Sequence, residues 1–368
     1  MIRVKIARDE LGRVIKRRVC FLGIEVLKKA FVYENVAKCV IYLLGIPLFK
    51  KNVESKEFFK LTRQKCNFLD CTHTMAQGLA ESFKSDKNLK DKIERLCKNL
   101  DTKSINCVNR TISRLVLMQG NKKWFNITKG EREKLKRLER EFYPNIIKVG
   151  ENCYFYGGYF LPKRIFEVGV FFYNHCLDMI ENKAALINKN IIDVGGFIGD
   201  SALILSKYTN KSVYSFEAVS DNYEMLLKTI ELNNAQNIVP LKNALGAECG
   251  SVEIAINGGG SSIDNNAKNA EIERVSVITL DSFVKEHNLE VGFIKVDIEG
   301  YEMEFLKGAL ETIKTQKPAM LLSIYHKASD FFEIKPFLES LNLGYKFKIC
   351  KPTDGQIATE ILLFCEVR

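Results

Sequence analysis

Four acids and one histidine stand where short apolar runs of this chain come to an end. Asp193 sits inside Asn190-Ile-Ile-Asp-Val and is followed by Gly195, Gly196, Gly199 and Asp200. Glu217 closes the run Ser212 to Phe216. Asp297 and Glu299 follow Phe293-Ile-Lys-Val and lead into Gly300, and His326 follows Ser323-Ile-Tyr. Glycines after an apolar run let a chain reverse sharply and let a ligand touch backbone. An ionised carboxylate such as Glu217 offers two acceptor oxygens, enough for both hydroxyls of a ribose. Two carboxylates and an imidazole at one edge are groups that can take a proton from a reacting hydroxyl. Lys295, on one face of its run, reads as a structural charge.

The elements that must position these residues alternate regularly from residue 190 onward. Strands are expected at Ile191–Val194, Ser212–Phe216, Ile238–Asn243, Gly292–Val296 and Ala319–Tyr325. Helices are expected at Ser201–Tyr208, Asp221–Asn233, Asp281–His287, Tyr301–Thr315 and Phe331–Leu341. Such alternation predicts a parallel sheet with helices on both faces. Ligands of open α/β sheets bind at the carboxyl ends of the strands, where all the residues above fall. An insertion, Ser251–Val277, carries Gly258-Gly-Gly-Ser-Ser, a loop that could close over an acceptor.

The ending breaks the rhythm. Tyr345–Cys350 and Glu360–Glu366 are joined by a segment with turn chemistry, Lys351-Pro-Thr-Asp-Gly, and no crossover helix. They therefore pair as an antiparallel hairpin. A mostly parallel sheet finished by one antiparallel hairpin is the ground plan of a Rossmann-like class I methyltransferase using S-adenosylmethionine. The spacing of Gly195, Gly196 and Gly199 also lacks the Gly-x-Gly-x-x-Gly of a pyrophosphate site, which disfavours a nicotinamide dinucleotide. The expected cofactor set is Asp193, Gly195, Gly196, Gly199, Asp200, Glu217, Asn243 and Asp297, with Asp193 suited to a cationic ligand. Asp297 and Glu299 alone make a thin coordination set, so no metal site is expected.

The chain has 368 residues, 46% of them hydrophobic, enough for a sizeable core in one large or two modest domains. Residues 1–150 are read as a mainly helical, basic domain, with helices at Lys87–Leu100, Thr111–Met118 and Lys129–Phe142. Residues 151–368 are read as the α/β domain, led in by a helix and loop over 151–189. The net charge of +10 would suit peripheral contact with a membrane, a glycan or a partner enzyme through the first domain. The apolar run Cys39–Phe49 is about half the ~20 residues of a spanning helix, and no signal peptide is evident. A cytoplasmic protein, soluble or peripheral at the inner membrane surface, is the expectation. The 11 cysteines lack a Cys-x-x-Cys pair; Cys66, Cys71 and His73 cluster without a second ligand pair, so free thiols are expected.

Residues 153–368 resemble the FkbM-type methyltransferases. The resemblance rests on Ile192-Asp-Val-Gly-Gly-Phe-Ile-Gly-Asp-Ser, Phe293-Ile-Lys-Val-Asp-Ile-Glu-Gly-Tyr-Glu and Ile324-Tyr-His-Lys-Ala-Ser-Asp. Phe166-Glu-Val-Gly-Val-Phe-Phe-Tyr and Thr359-Glu-Ile-Leu-Leu-Phe also agree. Gly196 stands where alanine is commoner in the family. The resemblance implies an S-adenosylmethionine-dependent O-methyltransferase acting on natural products or bacterial sugars. On this reading His326 or Asp297 is the base and Glu299 orients the acceptor or the base. A sugar hydroxyl in surface-glycan assembly is the expected acceptor. The alternatives are a small natural product and a non-catalytic, cofactor-binding scaffold. Nucleic acid is not expected, since no Asn-Pro-Pro-Tyr-like segment follows the strand before Asp297.

Overall fold

The computed structural model of the chain describes residues 2–8, 14–21, 24–34, 36–43, 46–52, 68–70, 74–118, 124–257, 260–262 and 271–367. Two compact units are present. One comprises residues 1–77, 117–145 and 353–357, the other residues 78–116, 146–352 and 358–368.

The second unit is organised around a seven-stranded sheet. Its strands in chain order are β1 (Asn190–Val194), β2 (Val213–Phe216), β3 (Ile238–Leu241), β4 (Val291–Val296), β5 (Ala319–Ser323), β6 (Tyr345–Cys350) and β7 (Leu362–Val367). Across the sheet the order is β3-β2-β1-β4-β5-β7-β6. The first five strands run parallel, and β7 is antiparallel to both β5 and β6. The expected hairpin is thus present, with β7 inserted between β5 and β6. Both faces of the sheet are covered, which is why the central strands read as continuous apolar runs rather than alternating ones. Ile191, Ile192 and Val194 of β1, and Phe293, Ile294 and Val296 of β4, are all buried. Strand order reverses between β1 and β4, so their carboxyl ends open a crevice for a ligand.

The helices of this sheet are α1 (Asp200–Leu205), α2 (Ser220–Asn233), α3 (Leu280–Glu286), α4 (Glu302–Lys307), α5 (Leu310–Gln316) and α6 (Ala328–Ser340). The single helix expected over 301–315 is therefore two. The break falls at Gly308, where a β-carbon would overlap the carbonyl oxygen of Gly246. A sequence period cannot register that backbone approach. The insertion after β3 is an antiparallel ribbon of Gly250–Asn257 and Glu271–Ile278. Residues 260–262 pair along its edge, whereas Gly258 and Gly259 of the expected acceptor loop lie outside the described residues. Residues 151–189 contain no long lead-in helix. A three-stranded antiparallel sheet over 147–161 is followed by single π and 3-10 turns.

Residues 78–116 belong to the same unit, so the sequence boundary near residue 150 does not coincide with this division. The helix Thr102–Leu117 buries Ser104, Val108, Thr111, Ile112 and Leu115, one apolar face at helical spacing. Its Ser104 hydroxyl accepts the β6 Ile349 N–H at 2.9 Å. Phe83 packs its ring between those of Phe331 and Phe332 on α6, at 5.5 and 4.9 Å between centroids.

The other unit corrects the expectation of a mainly helical first domain. The strands Ile2–Arg8, Val14–Phe21, Ile24–Glu34, Val36–Leu43 and Ile46–Asn52 form a five-stranded antiparallel meander in sequential order. The physical signal is a period of two, visible in Ile2-Arg-Val-Lys-Ile-Ala-Arg, where apolar and basic residues alternate. Helix follows only later, as in Lys129–Arg137, which opens on a capping box: Thr128 N–H and hydroxyl donate to Glu131, and Glu131 N–H donates to the Thr128 hydroxyl. Cys66, Cys71 and His73 lie outside the described residues. Cys97, Cys107, Cys153, Cys176, Cys249, Cys350 and Cys365 are free thiols. Among the described residues no helix is long and apolar enough to cross a membrane.

Candidate functional site

The turn after β1 is shaped by close approach. Gly195 has φ +83°, and a β-carbon there would overlap the carbonyl of Asp297 at the end of β4. The Asp297 N–H donates to the Val194 carbonyl at 3.0 Å, so the two strand ends are joined at this point. The N–H groups of Gly195 and Gly196 both donate to the Phe216 carbonyl of β2, at 3.0 and 2.8 Å. Gly199, with φ +87°, caps α1, and a β-carbon there would come within 2.7 Å of Leu226.

Asp193 is not a lining residue of the cavity at this edge of the sheet. It is fully buried and accepts from Ser201 Oγ at 3.0 Å and from Ser215 Oγ at 2.7 Å. Lys295 Nζ pairs with it at 3.2 Å and donates to the Gly195 carbonyl at 2.6 Å. Burial by itself would lower the Lys295 pKa, but Asp193, Asp297 and Asp200 outweigh it and raise it. The structural charge expected at Lys295 is therefore specific: it neutralises Asp193 and holds the turn.

A cavity opens at the carboxyl ends of β1, β2 and β4. Gly195, Asp200, Glu217, Asn243, Asp297 and Glu299 line it, as expected, whereas Asp193, Gly196 and Gly199 stand behind its wall. Glu217 accepts the Phe197 and Val219 N–H groups, one on each oxygen, both at 2.8 Å. Burial outweighs these bonds and raises its pKa to about 7. Burial likewise raises Asp200 to about 6. Sequence reasoning missed two more lining residues, Glu167 and His175. Burial, then the charges of Asp200, Glu360 and Asp297, push the Glu167 carboxyl well above its usual range. His175 is buried and left-handed (φ 50°), and neither ring nitrogen has a hydrogen-bond partner. Burial, then Lys295, lowers its pKa to about 4 and keeps it neutral.

The edge formed by β4 and β5 brings the predicted reaction residues together. His326 Nε2 lies 3.3 Å from Asp297 Oδ1 and 3.7 Å from Glu299 Oε2. Asp297 and Glu299 line the cavity, and His326, with 3% of its side chain exposed, stands one layer behind them. Glu299 has φ +54° and Gly300 φ +94°, so the chain turns tightly here and leaves the Glu299 carboxyl in solvent contact. Glu302, fully buried at the start of α4, was not singled out by its sequence. Its Oε1 meets His326 Nδ1 at 2.8 Å and accepts the Ile298 N–H at 3.1 Å. Burial would depress the His326 pKa, but the Glu302 hydrogen bond and the charges of Asp297, Glu302 and Glu299 prevail and lift it to about 9.

Sheet order, the antiparallel β7 and a cavity at the β1–β4 switch define a Rossmann-like methyltransferase architecture. Residues 193–347 match the family model described as the methyltransferase FkbM domain. Methyltransferase 1 of Beauveria bassiana (strain ARSEF 2860) is 26% identical over 174 residues, 41% of this chain and 70% of that protein. Among solved structures, the methyltransferase FkbM from Methylobacillus flagellatus KT is similar with a TM-score of 0.49 and 16% identity. That likeness covers 78% of this chain and 60% of the other, so this chain spans less than two thirds of its length. A putative methyltransferase from Streptococcus mutans, solved with S-adenosylhomocysteine, has a TM-score of 0.33 and 13% identity over 55% of this chain and 99% of its own.

Proposed function

We propose that the chain is an S-adenosylmethionine-dependent O-methyltransferase acting on a sugar hydroxyl in bacterial surface-glycan assembly. The observation that carries the cofactor is the acidic lining of the cavity. Glu167, Asp200, Glu217, Asp297 and Glu299 face it, and Lys295 is the one charged base among the lining residues. S-adenosylmethionine brings a sulfonium and an ammonium against one carboxylate, a net cation. A pyrophosphate would meet these acids unfavourably. Each Glu217 oxygen already accepts one N–H and keeps acceptor capacity for a ribose hydroxyl. When bound, the cofactor supplies an activated methyl group for displacement by the acceptor oxygen.

The residues of the chain do the rest. Holding acceptor and cofactor in line supplies up to ~7–11 kcal/mol of the barrier in well-oriented cases. Asp297, on the cavity side of the edge, is placed to take the hydroxyl proton, a contribution of roughly 10²–10⁴-fold. His326, behind it, positions the carboxylates, and Glu302 positions His326. Asp297 would pass the proton on to solvent after product release. The basic segments of residues 1–150 would dock the glycan, the membrane surface or a partner enzyme.

Calorimetry with S-adenosylmethionine and S-adenosylhomocysteine tests the cofactor, and binding of neither sinks the proposal. Mass spectrometry of the host surface glycan, with and without the gene, tests the acceptor through loss of one methyl. Cofactor binding with no methyl transfer to any acceptor would leave a non-catalytic scaffold.

A further inference from the structure

We propose that Asp297, Glu299 and His326 form a binding site for one divalent cation, with Glu302 orienting the histidine for it. Two carboxylates alone are too few for a coordination set. The structure brings the His326 ring within reach of both and adds Glu302, the group that aims it. His326 Nδ1 is engaged by Glu302 Oε1 at 2.8 Å, and Glu302 is itself fully buried and held by the Ile298 N–H. With Nδ1 held by a carboxylate, Nε2 is turned the other way, the arrangement that orients a histidine ligand once Nε2 has given up its proton. Nε2 then points toward Asp297 Oδ1 and Glu299 Oε2, at 3.3 and 3.7 Å.

That nitrogen is buried and makes no hydrogen bond. Beside it stand the Asp297 and Glu299 carboxylates, with which the protonated ring pairs, and a divalent cation can take that proton's place among the three groups. Ligand atoms sharing one ion at about 2.0–2.2 Å lie roughly 3 Å apart when adjacent, close to the Nε2–Oδ1 separation. Any proton on Nε2 is displaced as the ion binds. Glu299, with its carboxyl in solvent contact, closes the site from the solvent side. Two carboxylates and one imidazole suit Mn²⁺ or a similar ion that accepts both oxygen and nitrogen. With His326 behind and the carboxylates in front, open coordination positions face the cavity. There the ion would hold the oxygen of the acceptor hydroxyl, a role that rests on the methyl-transfer reading above. Asp297 can ligate through one oxygen and receive the hydroxyl proton on the other.

The test is Mn²⁺ titrated into the 368-residue chain and followed by electron paramagnetic resonance, with calorimetry of S-adenosylhomocysteine on the same sample. One Mn²⁺ per chain is expected. Glu302→Gln should weaken it about 10- to 100-fold, the usual effect of losing a group that orients a ligand. His326→Ala and Glu299→Gln should each weaken it at least as much; Glu299 is exposed, so its variant keeps the test sound if His326→Ala fails to fold. No Mn²⁺ bound by the folded wild type, or equal binding by wild type and Glu299→Gln, overturns the site. Loss of Mn²⁺ binding alone, with S-adenosylhomocysteine still bound, removes the cation and leaves the methyltransferase reading. Mn²⁺ bound without S-adenosylhomocysteine supports the site and counts against that reading.

Discussion

Lys295 on β4 pairs with Asp193 on β1 at 3.2 Å, with 5% and 0% of the side chains exposed. The same ammonium donates to the Gly195 carbonyl, so one buried cation ties an acid, a turn and two strands. Removing one partner of a buried pair strands the other charge, at about 3–5 kcal/mol. Lys295→Met should lower unfolding stability by that order in urea denaturation. Adding Asp193→Asn to it should restore part of the loss, because no buried charge then remains. Strict additivity of the two single effects would deny the coupling.

Gly196 is held to glycine by a neighbour rather than by its own dihedrals. A β-carbon there would overlap Ser215 Oγ, the hydroxyl that donates to Asp193 at 2.7 Å. Gly196→Ala should therefore displace Ser215 and cost about 1–3 kcal/mol through the lost buried hydrogen bond and crowding. The pair Gly196→Ala with Ser215→Ala should be milder than Gly196→Ala alone, because the clashing atom is gone. Thermal unfolding of the three variants measures this. A double variant less stable than Gly196→Ala would show that Ser215 is not the obstacle.

Glu217 gives the cofactor site a pH dependence. Its pKa is raised to about 7, so the carboxylate forms as pH rises through neutrality. Ribose hydroxyls donate more strongly to the ionised form, and affinity should climb between about pH 6 and 8. Asp200, raised to about 6, should add a rise one unit lower as it becomes a counter-charge to the ligand's ammonium group. Calorimetry with S-adenosylhomocysteine across this range should give a weaker and flatter profile for Glu217→Gln. An unchanged slope in that variant would remove Glu217 as the titrating group.

Much of this was legible because strands buried on both faces write themselves as apolar runs ending in an acid. The five parallel strands, the closing hairpin and the meeting of Asp297, Glu299 and His326 at one edge all follow from that pattern. What was not legible depends on long-range approach. Nothing in the local sequence separates Asp193, spent on Ser201, Ser215 and Lys295, from Glu217, which faces the cavity. Glu302 is hidden among the acids of Glu299-Gly-Tyr-Glu-Met-Glu, and only the fold shows that it, and not Glu304, turns toward His326. The meander over residues 2–52 was masked differently. Its residues were read only as part of a basic, mainly helical first domain, although their period of two belongs to a strand.

His175 had no motif to announce it, yet the cavity gives it a definite role. Both ring nitrogens are buried without partners, and a pKa near 4 keeps the ring neutral, able to donate from one nitrogen and accept at the other. An unpartnered buried polar group costs about 1–3 kcal/mol in the ligand-free protein. Such a cost is sustained where a ligand later supplies the partner. His175→Phe keeps an aromatic ring while removing both nitrogens. It should therefore leave the ligand-free protein as stable as the wild type, or more stable by about 1 kcal/mol, while weakening S-adenosylhomocysteine about tenfold. Denaturation and calorimetry on one preparation read both numbers. Lower stability with unchanged affinity would make His175 an ordinary core residue, because the two readings predict opposite signs.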